Sequence, residues 1–177
     1  MADSRIKLLE EKIRTYPDFP KPGILFRDIF SVLADPRSFQ VMIKLLEEKI
    51  QSLCPNVDVV MGLESRGFLL AAPLALALSK PLVPMRKKGK LPGKTKQVSY
   101  TLEYSTDTFE AQVDGIKPDQ TVVIVDDLLA TGGTMKAACD LVTSMGGKVA
   151  LCIVVIELSD LKGCEEITAP FQSIVKY

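Results

Sequence analysis

The 177-residue sequence has no histidine, which excludes every mechanism that needs an imidazole as a base or as a ligand. It has four cysteines without any CxxC pair, so neither a zinc site nor a disulfide framework is indicated. Its 22 basic and 22 acidic residues cancel, so no overall charge favours nucleic acid or a membrane surface as a partner. The specificity of any site must therefore come from local groups.

Long apolar segments are absent as well. No run approaches the roughly 20 apolar residues that a membrane-spanning helix needs. Residues 1–14 alternate charged and apolar residues and lack the unbroken apolar core of a signal peptide. We therefore expect a cytoplasmic protein with reduced thiols. The chain length and the 47% content of hydrophobic residues predict a single domain over residues 1–177.

From residue 57 onward, short apolar runs alternate with helical stretches. The strands predicted in this way span residues 57–63, 81–85, 121–125 and 148–156, and helices are predicted near 67–79 and 133–145. Fully apolar strands separated by helices indicate an α/β fold. We expect an open, mainly parallel, twisted sheet with helices on both faces.

The remaining segments carry weaker signals. Residues 4–14 predict a short amphipathic helix, and three prolines within 16–23 predict an extended arm. Asp35 can cap a second helix, and Pro36 suits its first turn. Residues 86–120 form a long polar stretch without a helical period. Such a stretch is too long for a passive connection, so we expect a mobile functional loop there.

The most informative segment follows the predicted strand at 121–125. Two adjacent carboxylates, Asp126 and Asp127, come after this strand, and a loop of small residues then leads into a helix. Ligands of open parallel sheets bind at the carboxyl ends of the strands, so this segment lies where a site is expected. The carboxylates would repel phosphate, and they suit sugar hydroxyls or a metal-bound sugar instead. A solvated Asp pair in an ordinary turn is the structural alternative.

The loop itself suits a phosphate group. Gly132 and Gly133 let backbone N–H groups approach a phosphate closely, and the helix N-terminus that follows favours anions. Thr131 and Thr134 supply hydroxyl donors. A ribose 5-phosphate fits this order of groups, with its phosphate on the loop and its hydroxyls at the carboxylates.

Two further segments could bind anions. Arg66 lies between the predicted strand at 57–63 and its helix, where it could hold a pyrophosphate with two hydrogen bonds. Residues 86–90 carry four positive charges, and a solvated basic turn is the alternative for any single lysine among them. Residues 89–95 look like a nucleotide-binding P-loop, but their glycines are spaced too closely for that motif. We therefore exclude ATP binding there.

The segment at 122–134 resembles the phosphoribosyl pyrophosphate signature of the type I phosphoribosyltransferases. The resemblance runs over residues 1–177 and implies that family's fold, with an N-terminal hood over about 1–34 and a mobile catalytic loop over about 94–110. It implies a homodimeric transferase that joins a nucleobase to phosphoribosyl pyrophosphate and releases pyrophosphate. It also implies Mg²⁺, held by the substrate and by waters near Asp126 and Asp127 without direct protein ligands. A cis peptide bond is implied at Glu64–Ser65.

Two segments of the resemblance concern the base. Residues 18–29 and 99–104 resemble the hood and the catalytic loop of the family members that act on adenine, which implies adenine as substrate and AMP as product. One departure is visible at Phe30 and Ser31, where the family has a small hydroxyl residue followed by proline.

The resemblance assigns a role to each candidate site residue. Those that bind the ribose 5-phosphate are Ala130, Thr131, Gly132, Gly133 and Thr134. Those that bind pyrophosphate are Arg66, Arg86, Lys87 and Lys90. Those that bind adenine are Leu25, Phe26, Arg27 and Leu158. The catalytic residues are Glu103, Asp126 and Asp127, of which Glu103 accepts or relays the proton that adenine loses. A core aromatic remains the alternative for Phe26, and an exposed loop carboxylate for Glu103.

Two other functions compete with this interpretation. One is a regulator that binds phosphoribosyl pyrophosphate at the same loop without catalysis. Such regulators normally carry an added DNA-binding segment, and the sequence has neither a basic bias nor a helix-turn-helix candidate. The other is a transferase for hypoxanthine, guanine, orotate or uracil, against which the adenine-type hood and loop argue.

Overall fold

The computed structural model describes residues 3–102 and 105–177. The chain divides into two compact units, Met1–Leu45 and Leu46–Tyr177. Within the described residues, no helix is long and apolar enough to cross a bilayer. The single domain expected over residues 1–177 stays a prediction.

The first unit combines short helices with a small antiparallel sheet. Its elements are α1 (Ser4–Lys12), β1 (Arg14–Pro17), β2 (Leu25–Asp28), α2 (Phe30–Leu33) and the first half of α3 (Pro36–Leu53). Strands β1 and β2 pair from Arg14 opposite Asp28 to Pro17 opposite Leu25. The predicted cap of α3 is confirmed, because the Ser38 N–H donates to Asp35 Oδ2 at 3.0 Å.

The second unit is built around a seven-stranded sheet. Its strands are β3 (Val59–Leu63), β4 (Leu82–Lys87), β5 (Thr95–Leu102), β6 (Ser105–Gln112), β7 (Thr121–Leu129), β8 (Lys148–Glu157) and β9 (Phe171–Lys176). They lie in the order β5-β6-β4-β3-β7-β8-β9. Strands β4, β3, β7, β8 and β9 run parallel to one another. Strand β6 is antiparallel to β4, and β5 is antiparallel to β6. The predicted, mainly parallel sheet is confirmed.

Helices α4 (Arg66–Leu78) and α5 (Gly133–Ser144) cover opposite faces of this sheet. Successive side chains of a strand point to opposite faces. Met61 of β3 belongs to a buried cluster with Met135 and Leu141 of α5. Gly62, the next residue of β3, faces Ala71 of α4 instead. Two 3₁₀ helices, Ser159–Leu161 and Gly163–Glu166, follow β8.

Strands β3 and β7 are neighbours at the point where the strand order reverses. From β3 the chain passes to β4 on one side, and β7 pairs with β3 on the other side. A reversal of this kind leaves a crevice at the carboxyl ends of the two strands, which is where open α/β sheets bind ligands.

One prediction is wrong: much of the polar stretch at 86–120 is strand, not loop. Strands β5 and β6 pair antiparallel, with Thr95 opposite Gln112. Polar side chains bond across one face of the pair, as Ser99 Oγ and Thr108 Oγ1 do at 2.8 Å, and only alternate residues such as Val98 and Phe109 pack on the core, so the segment has no continuous apolar run to reveal it. The mobility expected for residues 94–110 stays a prediction.

Candidate active site

A cavity of about 440 Å³ lies at the carboxyl ends of β3 and β7. Two loops form most of it, the one between β3 and α4 and the one between β7 and α5. The residues that line it are Glu64, Ser65, Arg66, Lys87, Tyr100, Asp107, Phe109 and the continuous stretch 126–135. The cavity therefore contains most of the groups that the sequence singled out.

The carboxylate pair lies within β7, which continues to Leu129. Asp127 is buried, and its Oδ2 accepts a hydrogen bond from Arg66 Nε at 2.7 Å. The Asp127 N–H donates to Asp126 Oδ1 at 2.9 Å. Burial, together with the neighbouring Asp127 carboxylate, raises the pKa of Asp126 well above its ordinary value. The pair can therefore accept hydrogen bonds from sugar hydroxyls and can also donate hydrogen bonds to them.

The contact between Arg66 and Asp127 joins the first residue of α4 to β7. It depends on a close approach of α4 to β7: a Cβ atom on Gly67 would lie 2.8 Å from the Val125 carbonyl oxygen. This ion pair was not predictable from the sequence, because 61 positions separate its partners. The ion pair places Arg66, which is predicted to bind pyrophosphate, beside Asp126 and Asp127, which are predicted to bind the ribose.

The predicted phosphate loop, residues 130–134, lines the cavity throughout. Gly132 has a φ of +86°, and a Cβ atom there would collide with the carbonyl oxygen of Gly163. Helix α5 begins at Gly133, so its N-terminal N–H groups face the cavity region, where an anion is favoured. An ion pair of 2.8 Å between Lys136 and Glu166 ties α5 to the second 3₁₀ helix. The sequence did not indicate that this helix supports the loop.

The loop between β3 and α4 has the expected cis peptide bond at Glu64–Ser65. The Glu64 carboxylate accepts hydrogen bonds from Arg86 Nη2 and from the Lys87 N–H, both at 2.9 Å. The Arg86 guanidinium, with the Lys87 N–H, holds the pKa of Glu64 below its ordinary value. This loop is therefore connected to the basic segment that follows β4.

The structure separates the four predicted pyrophosphate residues into two groups. Arg66 and Lys87 line the cavity, whereas Arg86 and Lys90 are not among its lining residues. Arg86 pairs with Glu64 and also donates to the Lys90 carbonyl oxygen at 3.0 Å. Arg86 thus contacts the residues that surround the cavity, and direct binding of pyrophosphate by Arg86 and Lys90 stays a prediction.

Two aromatic residues of the β5–β6 pair also line the cavity, although the sequence did not mark them as site residues. The rings of Tyr100 and Phe109 stack with centroids 5.5 Å apart. The Tyr100 hydroxyl lies 3.3 Å from Thr134 Oγ1. Tyr100 therefore reaches the phosphate loop. The only sequence signal for it was its place in the segment 99–104.

The residues assigned to adenine lie in both units. Strand β2 of the first unit carries Leu25, Phe26 and Arg27. The Phe26 ring meets the Phe19 ring edge-on, with ring centroids 5.1 Å apart. Leu158 follows β8 in the second unit, and its N–H donates to the Leu129 carbonyl oxygen at 3.0 Å. Glu103 lies outside the described residues. These four assignments and that of Glu103 stay predictions.

The fold and the cavity together define a class of protein. It is an α/β protein with a helix N-terminus that favours anions, a carboxylate pair and cationic side chains in one crevice, a combination that suits a phosphorylated sugar.

Comparison with known proteins narrows this class. Residues 30–172 match the phosphoribosyl transferase domain family. Adenine phosphoribosyltransferase of Homo sapiens is 48% identical over 179 residues, covering 100% of this chain and 99% of that protein. The enzyme of Rhodospirillum rubrum is 53% identical over 169 residues, covering 96% and 98%. The Saccharomyces cerevisiae enzyme, solved with adenine and an imino-altritol bisphosphate, superposes with a TM-score of 0.94 at 39% identity, covering 97% and 99%. The chain belongs to the phosphoribosyl transferase family, and within it to the adenine phosphoribosyltransferases.

Proposed function

We propose that this protein transfers the phosphoribosyl group of phosphoribosyl pyrophosphate to adenine, producing AMP and pyrophosphate in purine salvage. The observation that carries the proposal is the single cavity in which the phosphate loop, the Asp126–Asp127 pair and Arg66 meet. The full-length similarity to adenine phosphoribosyltransferases supports adenine as the base.

Different residues of the cavity lining bind different parts of phosphoribosyl pyrophosphate. The 5-phosphate binds at residues 130–134, where backbone N–H groups and two threonine hydroxyls are available. The ribose hydroxyls bind at Asp126 and Asp127. Pyrophosphate binds beside Arg66 and Lys87. A substrate held at both ends has its C1 atom fixed between them.

The reaction needs no protein nucleophile. The bond from C1 to the pyrophosphate oxygen breaks as positive charge grows on the ribose, and a ring nitrogen of adenine bonds to C1 from the opposite face. The protein's part is to align the two reactants and to stabilise the leaving group with Arg66 and Lys87. Glu103 is the proposed acceptor of the proton that adenine loses.

Dependence on Mg²⁺ is part of the proposal. The oxygen donors of Asp126 and Asp127 border the cavity and suit this ion, and Asp127 is already engaged by Arg66, which favours contact through water. Mg²⁺ would neutralise charge on the pyrophosphate group. The two carboxylates keep their role of orienting the ribose hydroxyls.

A homodimer and a cytoplasmic location also belong to the proposal. Helix α4 exposes apolar side chains, with Leu76 82% exposed and Leu69 43% exposed, and an apolar helix face of this kind supports a contact between subunits.

Cys139 and Cys152 are buried free thiols with sulfur atoms 3.5 Å apart. Four cysteines without a CxxC pair in the sequence support a compartment that keeps thiols reduced.

The base specificity is tested by measuring pyrophosphate release with adenine, hypoxanthine and guanine, each with phosphoribosyl pyrophosphate and Mg²⁺. We expect turnover with adenine to exceed turnover with either oxopurine by far, because the protein belongs to the adenine-specific branch. Equal or faster turnover with guanine would contradict the proposal.

A further inference from the structure

Glu110 is a buried carboxylate that lies outside the cavity. It is on β6, opposite Arg86 of β4, and only 2% of it is exposed. Its Oε2 accepts hydrogen bonds from Thr95 Oγ1 and Gln97 Nε2 of β5, both at 3.1 Å. These contacts fix the carboxylate between β4 and β5.

The other oxygen of Glu110 holds the turn that follows β4. Oε1 accepts hydrogen bonds from three consecutive backbone N–H groups, those of Gly89 at 2.9 Å and of Lys90 and Leu91 at 3.1 Å. Gly89 has a φ of +80°, which turns the N–H groups towards one point. Successive N–H groups that converge in this way form an anion-binding concavity. Here a carboxylate of the same chain occupies it.

The electrostatics favour the charged form of Glu110. Burial acts to raise its pKa, but the hydrogen bonds from the Leu91 N–H, Thr95 and Gln97 outweigh this effect and lower it. A charged acceptor makes stronger hydrogen bonds than a neutral one. The carboxylate therefore holds the turn at residues 88–91 firmly.

The turn is linked to the cavity through Arg86. Arg86 Nη1 donates to the Lys90 carbonyl oxygen at 3.0 Å, and Nη2 donates to Glu64 Oε1 at 2.9 Å. Glu64 also accepts from the N–H of Lys87, and both Glu64 and Lys87 line the cavity. A shift of the turn would therefore move Arg86, Glu64 and Lys87 together.

We propose that Glu110 is a positioning residue for the pyrophosphate end of the site, acting through the turn at 88–91 and Arg86. The proposal rests on the proposed function, because it takes Lys87 and the Glu64 loop as the place where pyrophosphate binds. The ribose 5-phosphate end, at residues 130–134, is held by contacts with Gly163, Glu166 and the Tyr100 hydroxyl, which do not pass through the turn at 88–91 or through Arg86. The two ends should therefore respond differently to a change at Glu110.

The test compares wild type with Glu110→Gln and with Gln97→Leu, a milder variant that removes one hydrogen bond to Oε2 and keeps the carboxylate. Affinities for pyrophosphate and for ribose 5-phosphate are measured by calorimetry, and the KM values for phosphoribosyl pyrophosphate and adenine by steady-state kinetics. For Glu110→Gln we expect pyrophosphate affinity to fall about tenfold, which corresponds to about 1.4 kcal/mol. The KM for phosphoribosyl pyrophosphate should rise in parallel. Gln97→Leu should change both values in the same direction by a smaller factor.

Ribose 5-phosphate affinity and the KM for adenine should stay at their wild-type values in both variants. Asp119→Asn is the matched control, because it removes one negative charge at an ion pair with Lys148 on an 81% exposed side chain. It should leave every value unchanged. Unchanged pyrophosphate affinity in folded Glu110→Gln would overturn the proposal, and so would equal losses for pyrophosphate and ribose 5-phosphate. If wild type forms no AMP, the proposed function fails instead, and the two affinities still test Glu110.

Discussion

Asp126 lies beside the Asp127 carboxylate in a partly buried position, and Arg66 forms its ion pair with Asp127. Its raised pKa means that the folded state favours the protonated form more than the unfolded state does. The charged form therefore costs stability, and this cost grows as the pH rises above the ordinary pKa of an aspartate. A carboxylate retained at such a cost is typical of a functional site.

The change Asp126→Asn should remove this cost. We expect the variant to unfold at a higher temperature than wild type at about pH 8, by on the order of a few degrees, while transfer activity falls. The difference should shrink as the pH falls towards 4, because wild type then becomes protonated and also escapes the repulsion.

Thermal unfolding followed over this pH range measures the effect. Asp140→Asn, at an exposed carboxylate of α5, is the control and should keep the same pH profile as wild type. A melting temperature for Asp126→Asn that is lower than that of wild type at every pH would mean that the charged carboxylate stabilises the fold.

At the residue scale, the sequence revealed groups that are adjacent in the chain and missed groups that meet only in the fold. The carboxylate pair and the phosphate loop were predictable because one short segment carries them. The contact of Arg66 with Asp127 was not, and neither was the role of Glu110, which looks in the sequence like an ordinary residue of a polar stretch. Such contacts depend on which strands are neighbours, and the pattern of residues does not specify this.

Among the longer helices, α4 differs from α1, α3 and α5 in its composition, since it has no charged residue after Arg66. Leu70 and Leu74 are buried, whereas Leu69 and Leu76 are exposed on the same helix. Burying a leucine side chain contributes about 2 kcal/mol of favourable free energy. In a symmetric contact both subunits bury the same leucine, so this contribution applies twice.

The change Leu76→Glu should weaken the proposed homodimer, because it places a charge in the apolar contact. We expect light scattering at micromolar concentration to give a dimer for wild type and a monomer for this variant. Val113→Glu, at a 47% exposed residue after β6, is the control and should remain a dimer. A monomeric wild type, or a dimeric Leu76→Glu variant, would exclude α4 as the interface.

The elements that the sequence predicted correctly carry a clear apolar pattern. Strands β3, β7 and β8 contain continuous apolar runs, and helices α1, α3, α4 and α5 carry apolar residues at helical spacing, so the hydrophobic pattern marked them. The β5–β6 pair is polar on much of its surface and depends on pairing with its neighbours. Pairing partners are set by the tertiary fold, so the alternation of a few apolar residues, such as Val98 and Phe109, was too weak a local signature for this hairpin.

For the whole molecule, the proposed function is catalysis and not only binding. A regulator built on the same fold would bind phosphoribosyl pyrophosphate at the phosphate loop and the carboxylate pair. It would have no need to align a base with C1 or to stabilise a leaving pyrophosphate. Binding measurements alone therefore do not separate the two functions.

The most direct test is a single-turnover experiment with wild-type protein in excess over labelled adenine, in the presence of phosphoribosyl pyrophosphate and Mg²⁺. Samples are quenched over time, and AMP and pyrophosphate are quantified, while calorimetry reports phosphoribosyl pyrophosphate binding in the same preparation. We expect adenine to be converted to AMP with one pyrophosphate released for each AMP formed. Tight binding of phosphoribosyl pyrophosphate without any AMP would contradict the account and identify a binding protein instead.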